Sequence, residues 1–151
     1  MCKAIHIKKK KRYLFIPFLL LLLFAQLYSL SQQKRRQQDL SEHVLRLHIL
    51  AASDSETDQS HKLLVRDAVL SEMEPFMSGA SSKEEAIELI NAHLSEITAT
   101  ATQTLLELGD PNPVSVSICR DYFPTKSYGA LTFPAGEYDA LRICIGQASG
   151  H

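Results

Sequence analysis

Three carboxylates at alternating positions, Asp54, Glu56 and Asp58 in the stretch "DSETD", are the first residues here whose types and spacing suggest chemistry, namely calcium binding. An EF-hand loop counted from Asp54 needs Gly at its sixth place and Glu at its twelfth. The sequence has Gln59 and Val65 there. Helix capping explains the acids better: Ser55 precedes Asp58 by three, so its hydroxyl can accept an orphan amide while the carboxylates face a helix N-terminus. No metal and no other cofactor is expected. The histidines beyond position 36 are His43, His48, His61, His93 and His151. None has a second histidine at i+4, and they read as solvated or edge residues. G-x-S-x-G, H-E-x-x-H and the phosphate-cradling G-x-x-x-x-G-K-[ST] are absent from the sequence, so no catalytic residue is assigned. Arg66 and Asp67 are sequence neighbours, pointing about 100° apart on a helix and not facing each other.

Recognition chemistry gathers in "FPTKSYGALTFPAGEY", residues 123–138. Pro134 with Gly136, and Pro124 with Gly129, are breaks that turn the chain between strands. Lys126 is the only basic residue between Arg120 and Arg142. Tyr122, Tyr128 and Tyr138 are expected at the sheet edge beside it. Aromatics around a lone cation suit contact with a partner. The expected partner-binding set is Tyr122, Lys126, Tyr128 and Tyr138, with Asp54 and Asp58 from the 52–59 loop.

The cysteines are Cys2, Cys119 and Cys144, with no C-x-x-C. Redox and zinc motifs therefore have no support. By strand alternation Cys119 and Cys144 point away from the face that carries Ile118 and Ile143. A Cys119–Cys144 disulfide is geometrically open if their strands are neighbours in register.

The elements that must position these residues begin with an export segment. Residues 3–12, "KAIHIKKKKR", carry six positive charges, and residues 13–30, "YLFIPFLLLLLFAQLYSL", carry none. A basic head before an apolar run enters a bilayer with the head left in the cytoplasm. Residues 1–31 are thus a signal peptide or a signal anchor. The small-x-small pair Ser29 and Ser31 favours cleavage, and "KRR" at 34–36 favours retention. Residues 32–43 read as a polar linker and 44–151 as an exported domain. Beyond position 36 the chain holds 7 Lys+Arg against 17 Asp+Glu, a net charge of −10. Such a surface repels phosphate backbones, so nucleic acid is not an expected partner.

Within the domain, "VLRLHIL" at 44–50 alternates as a half-buried strand, with Leu45, Leu47 and Ile49 on one face and Arg46 and His48 on the other. Apolar spacing predicts a helix over about 57–77, with Leu64, Val65, Ala68, Val69, Met73, Phe76 and Met77 on its stripe. A second helix follows the capping sequence "SSKEE", with apolar positions 87, 90, 94, 97, 101, 105 and 108. Strands are expected at 114–120, 127–132 and 139–145. The fold class is α+β: a small, mostly antiparallel or mixed sheet with two helices on one face.

Three ordered blocks, "ASDSETDQSHKLLVRDAVL" (52–70), "YFPTKSYG" (122–129) and "PAGEYDALRICIG" (134–146), resemble stage II sporulation protein R of endospore-forming bacteria. The resemblance spans about residues 44–146. It implies a non-enzymatic signalling protein made in the forespore and exported into the space between forespore and mother cell. There it would activate a membrane-embedded aspartic protease, the stage II sporulation protein GA, which processes the sigma-E precursor. It also implies Asn where Ala52 stands, and a tail rich in Trp and Cys after position 146. The chain contains no Trp, so truncation of the domain at its C-terminus is expected. The rival readings are an exported hydrolase and a passive membrane-anchored structural module.

Overall fold

The computed structural model describes residues 4–129 and 131–150, with side chains from Phe15 onward. Cys2, His151 and the side chains of the basic head lie outside the described residues. The chain divides into two units, 1–39 and 40–151. A first helix, α1, runs Ala4–His43. Residues 32–43 therefore continue a helix, where the sequence suggested a polar linker. Phe15–His43 is long and apolar enough to cross a membrane, with a mean hydropathy of 1.7 in its most apolar window. Its apolar side chains from Phe15 to Leu30 are exposed, a pattern that a membrane span and a signal sequence share.

The second unit holds strand β1 (Leu45–Leu50), helices α2 (Glu56–Met77), α3 (Lys83–Ala92) and α4 (Leu94–Glu107), and strands β2 (Val114–Phe123), β3 (Lys126–Tyr128), β4 (Leu131–Phe133) and β5 (Gly136–Ile145). β5 is central in the order β1-β5-β2, parallel to β1 and antiparallel to β2. The sheet is mixed, as expected. One face carries Leu47, Leu141 and Ile118 in a row, and Ile49, Ile143 and Val116 in the next. That face merges with Val65, Val69 and Met73 of α2, Ile90 of α3 and Ile97, Ala101 and Leu105 of α4 into one core.

Three helices stand where two were expected. The apolar spacing across 87–108 is continuous, but the helix breaks at His93, whose φ of −111° and ψ of 19° leave the helical region. The His93 ring stacks on Phe76 at 4.2 Å, and its Nδ1 lies 2.9 Å from the Leu89 carbonyl oxygen. Side-chain partners thus compensate the interrupted ladder. Leu64, placed on the buried stripe by its spacing, is exposed. The stretch 127–132 is not one strand. Lys126–Tyr128 and Leu131–Phe133 pair with each other as a separate two-stranded hairpin.

Candidate functional site

The face of the sheet turned away from the α2–α4 core carries the polar side chains. Alternation places His48 of β1, Asp121 of β2 and Arg142 of β5 there. Asp121 accepts from Arg142 Nε and Nη2, each at 2.8 Å, and its Oδ2 lies 2.6 Å from His48 Nδ1. Burial alone would raise the Asp121 carboxyl. The hydrogen bonds from Arg142 and His48 outweigh it, and the group is held below the usual carboxylate range. The same bond raises Arg142 further.

Next to this network, Arg46 lies in an aromatic cage. Its guanidinium is 4.0 Å from the Phe123 ring centroid, 5.1 Å from Tyr138 and 5.7 Å from Phe133. These are cation–π distances. Phe123, Tyr138 and Ala140 form a second small core against Leu40. Arg46 Nη1 is buried with no hydrogen-bond partner among the described residues.

A second histidine–aspartate pair sits at the other end of the sheet. His61 Nδ1 lies 2.8 Å from Oδ2 of Asp110, which is 7% exposed. Asp110 Oδ1 accepts from the backbone and side-chain nitrogens of Asn112. Burial would raise this carboxyl, and the bonds from His61 and Asn112 hold it low. Asp58, His61 and Asp110 each offer a ligand atom within 4.8 Å of the others, a set that could hold a divalent cation. Asp58 also accepts from the Ser53 hydroxyl. Its backbone amide donates to Ser55 Oγ at 3.1 Å, the capping bond that the sequence predicts.

The expected contact residues divide between these places. Tyr122 is 65% and Tyr128 59% exposed, and Lys126 is exposed in β3. Tyr138 is not at an edge. It is fully buried, and its hydroxyl donates to the Pro134 carbonyl at 2.8 Å; it holds the turn rather than meeting a partner. Asp54 is exposed and Asp58 half-buried at the start of α2. The hairpin is rooted where Phe123 pairs with Gly136, whereas the 52–59 loop leaves past Leu50, opposite Cys144. The two candidate loops therefore start from opposite ends of β5.

The disulfide candidate is corrected. Cys119 and Cys144 are free thiols on one face, but Cys119 is opposite Ala140 and Cys144 opposite Ser115. Four positions along β5 separate them, about 13 Å at the usual rise per residue, beyond disulfide reach. Burial pushes the Cys119 thiol up. Arg66 and Asp67, expected not to face each other, do meet: Arg66 Nη2 is 2.7 Å from Asp67 Oδ1. The long arginine stem curls back over the intervening angle.

Sequence reading missed the Asp121 hub and the Arg46 cage. Period-two alternation puts Arg46 with His48 on one face, but β2 runs on to Phe123, past the strand expected at 114–120, so Asp121 and Phe123 lie outside that pattern. Strand order was the absent link.

A helix of membrane-crossing length followed by a small α+β domain with a mixed sheet is the class defined here. The chain belongs to the stage II sporulation protein R family, whose members it matches over residues 41–151. It is 36% identical over 147 residues to stage II sporulation protein R of Bacillus subtilis (strain 168), covering 93% of this chain and 66% of the relative. The chain thus spans about two thirds of that relative's length. No solved structure matches.

Proposed function

We propose that the chain is an exported signalling ligand of sporulation. It acts by contact in the space between forespore and mother cell to activate the membrane-embedded aspartic protease, stage II sporulation protein GA, which processes the sigma-E precursor. Family membership carries this reading, and the N-terminal helix of membrane-crossing length supports the export step. Three exposed members of the contact set, Tyr122, Lys126 and Tyr128, present aromatic area beside a cation, the composition of a recognition surface. Deleting the gene should abolish sigma-E-dependent transcription in the mother cell. The double substitution Lys126→Ala with Tyr128→Ala should abolish processing while leaving the fold intact; normal processing would discard the hairpin as the contact.

Hydrolysis is the second reading, favoured by the His48–Asp121 and His61–Asp110 pairs. Each resembles the orienting half of a catalytic triad. His48→Ala and His61→Ala should leave signalling in place apart from any loss of stability. Turnover of a generic ester or peptide substrate that vanishes in either variant would establish the enzyme instead.

A further inference from the structure

A groove of about 490 Å³ runs along β1. β1 is an edge strand, so one side of its backbone has no sheet neighbour among the described residues. Leu45, Leu47 and Ile49 form the groove floor, and Leu63 and Leu70 of α2 stand on one side. Tyr128 and Phe133 of the hairpin reach over to form the other. Exposed apolar side chains beside an open strand edge, with a helix alongside, are the ingredients of strand addition, in which backbone bonds give affinity and alternate side chains give selectivity.

Charge identifies the occupant. The cations lining the groove are Arg46, Lys62 and Arg66, and no carboxylate lines it. Those are three of only seven basic residues beyond position 36, where seventeen acids stand. The groove lining is thus cationic on an acidic chain, with Arg66 paired to Asp67 beside it. The buried Nη1 of Arg46, with no partner among the described residues, is a donor for which an incoming carboxylate would supply the acceptor.

We propose that this groove takes an extended, acidic peptide segment of the signalling partner as an added strand against β1. The six residues of β1 offer about 20 Å of edge. The assignment to the signalling partner rests on the function proposed above, whereas the peptide chemistry does not.

The test uses the full chain in detergent micelles and a fluorescein-labelled octapeptide of alternating Val and Glu. Its counterpart with Lys for Glu and a version N-methylated at alternate amides serve as controls. Anisotropy should show the Glu peptide binding at least 10-fold tighter than the Lys peptide, and N-methylation weakening it by at least 10-fold. Amides within Leu45–Leu50 should gain hydrogen-exchange protection on binding. Lys62→Glu with Arg66→Glu should reverse the charge preference at unchanged Tm. Equal affinity for both peptides overturns the proposal, as does indifference to N-methylation, which requires no variant to fold. Sedimentation showing dimers that the double variant dissociates would assign the groove to a second copy and overturn it too. Lost peptide binding with intact sigma-E processing overturns the partner assignment alone. Normal sigma-E activity after gene deletion overturns the signalling role and leaves peptide binding standing.

Discussion

Asp121 joins three strands through charge-assisted bonds, which are stronger than neutral ones. Asp121→Ala would strand Arg142 and His48 on a half-buried face. It should lower unfolding free energy by about 2–4 kcal/mol, read from urea midpoints at constant m-value. Asp110 and Asp121 both contribute to the acid response. Both are held below the ordinary carboxylate range when folded, and both return to about 4 when unfolded. Near neutrality the folded state therefore binds no more protons than the unfolded one, and the full stabilisation is present. Below about pH 4 the unfolded chain takes up protons that the folded carboxylates resist, and stability falls as pH descends through their depressed values. A Tm profile should be flat with respect to these groups from pH 7 to about 5 and drop below 4, with the drop reduced in Asp110→Asn. A profile that falls on the alkaline side instead would contradict the assignment. Asp121 lies past the end of the strand expected at 114–120, and only the placement of His48 and Arg142 off the core face was readable from alternation. Their meeting was not, because it depends on β5 lying between β1 and β2, a long-range pairing that no local pattern encodes.

Elements were legible where side-chain period and capping agreed. The α2 start follows from Ser55, and Ser55→Ala should cost about 1 kcal/mol, measured by thermal or chemical unfolding. At the next helix, Ser82 Oγ accepts from the Glu85 amide, and Glu85 accepts from the Ser81 amide and hydroxyl. That is a capping box displaced by one residue from the reciprocal pattern. Legibility failed where tertiary contacts override period. The His93 break is held by Phe76 of another helix, and no spacing rule contains that ring pair. The hairpin strands have three residues each, too few for alternation to register against the surrounding prolines and glycines. Gly146 shows how tightly the far end is built. Its φ is +57°, and a Cβ there would lie 2.6 Å from Asn112 Oδ1, the side chain that also donates to Asp110. Gly146→Ala should therefore destabilise by more than the roughly 1 kcal/mol expected of a left-handed backbone alone, and should loosen the His61–Asp110 pair, visible as a changed His61 ring-proton shift in NMR.

At the scale of the whole chain, two opposed charge regimes flank an apolar helix. Six of the sixteen basic residues precede the uncharged run 13–30 and no acid does, whereas all seventeen acids follow it together with the other ten. A bilayer sorts such a chain by holding the basic end on the side of synthesis. Positive charges placed within the apolar run oppose insertion by about 2.5–3.5 kcal/mol each at the centre of a spanning helix. Leu21→Arg with Leu22→Arg should therefore leave the chain in the soluble fraction of the cell that makes it, at normal abundance. The folded domain beyond position 40 has its own core, distant in sequence from the altered residues, so lost signalling in this variant would reflect compartment and not unfolding. Fractionation with parallel measurement of sigma-E-dependent transcription separates the two. Soluble protein with transcription abolished is the expected pair. Soluble protein with normal transcription would mean that the domain signals without crossing a membrane, and the contact mechanism would have to operate inside the compartment of synthesis.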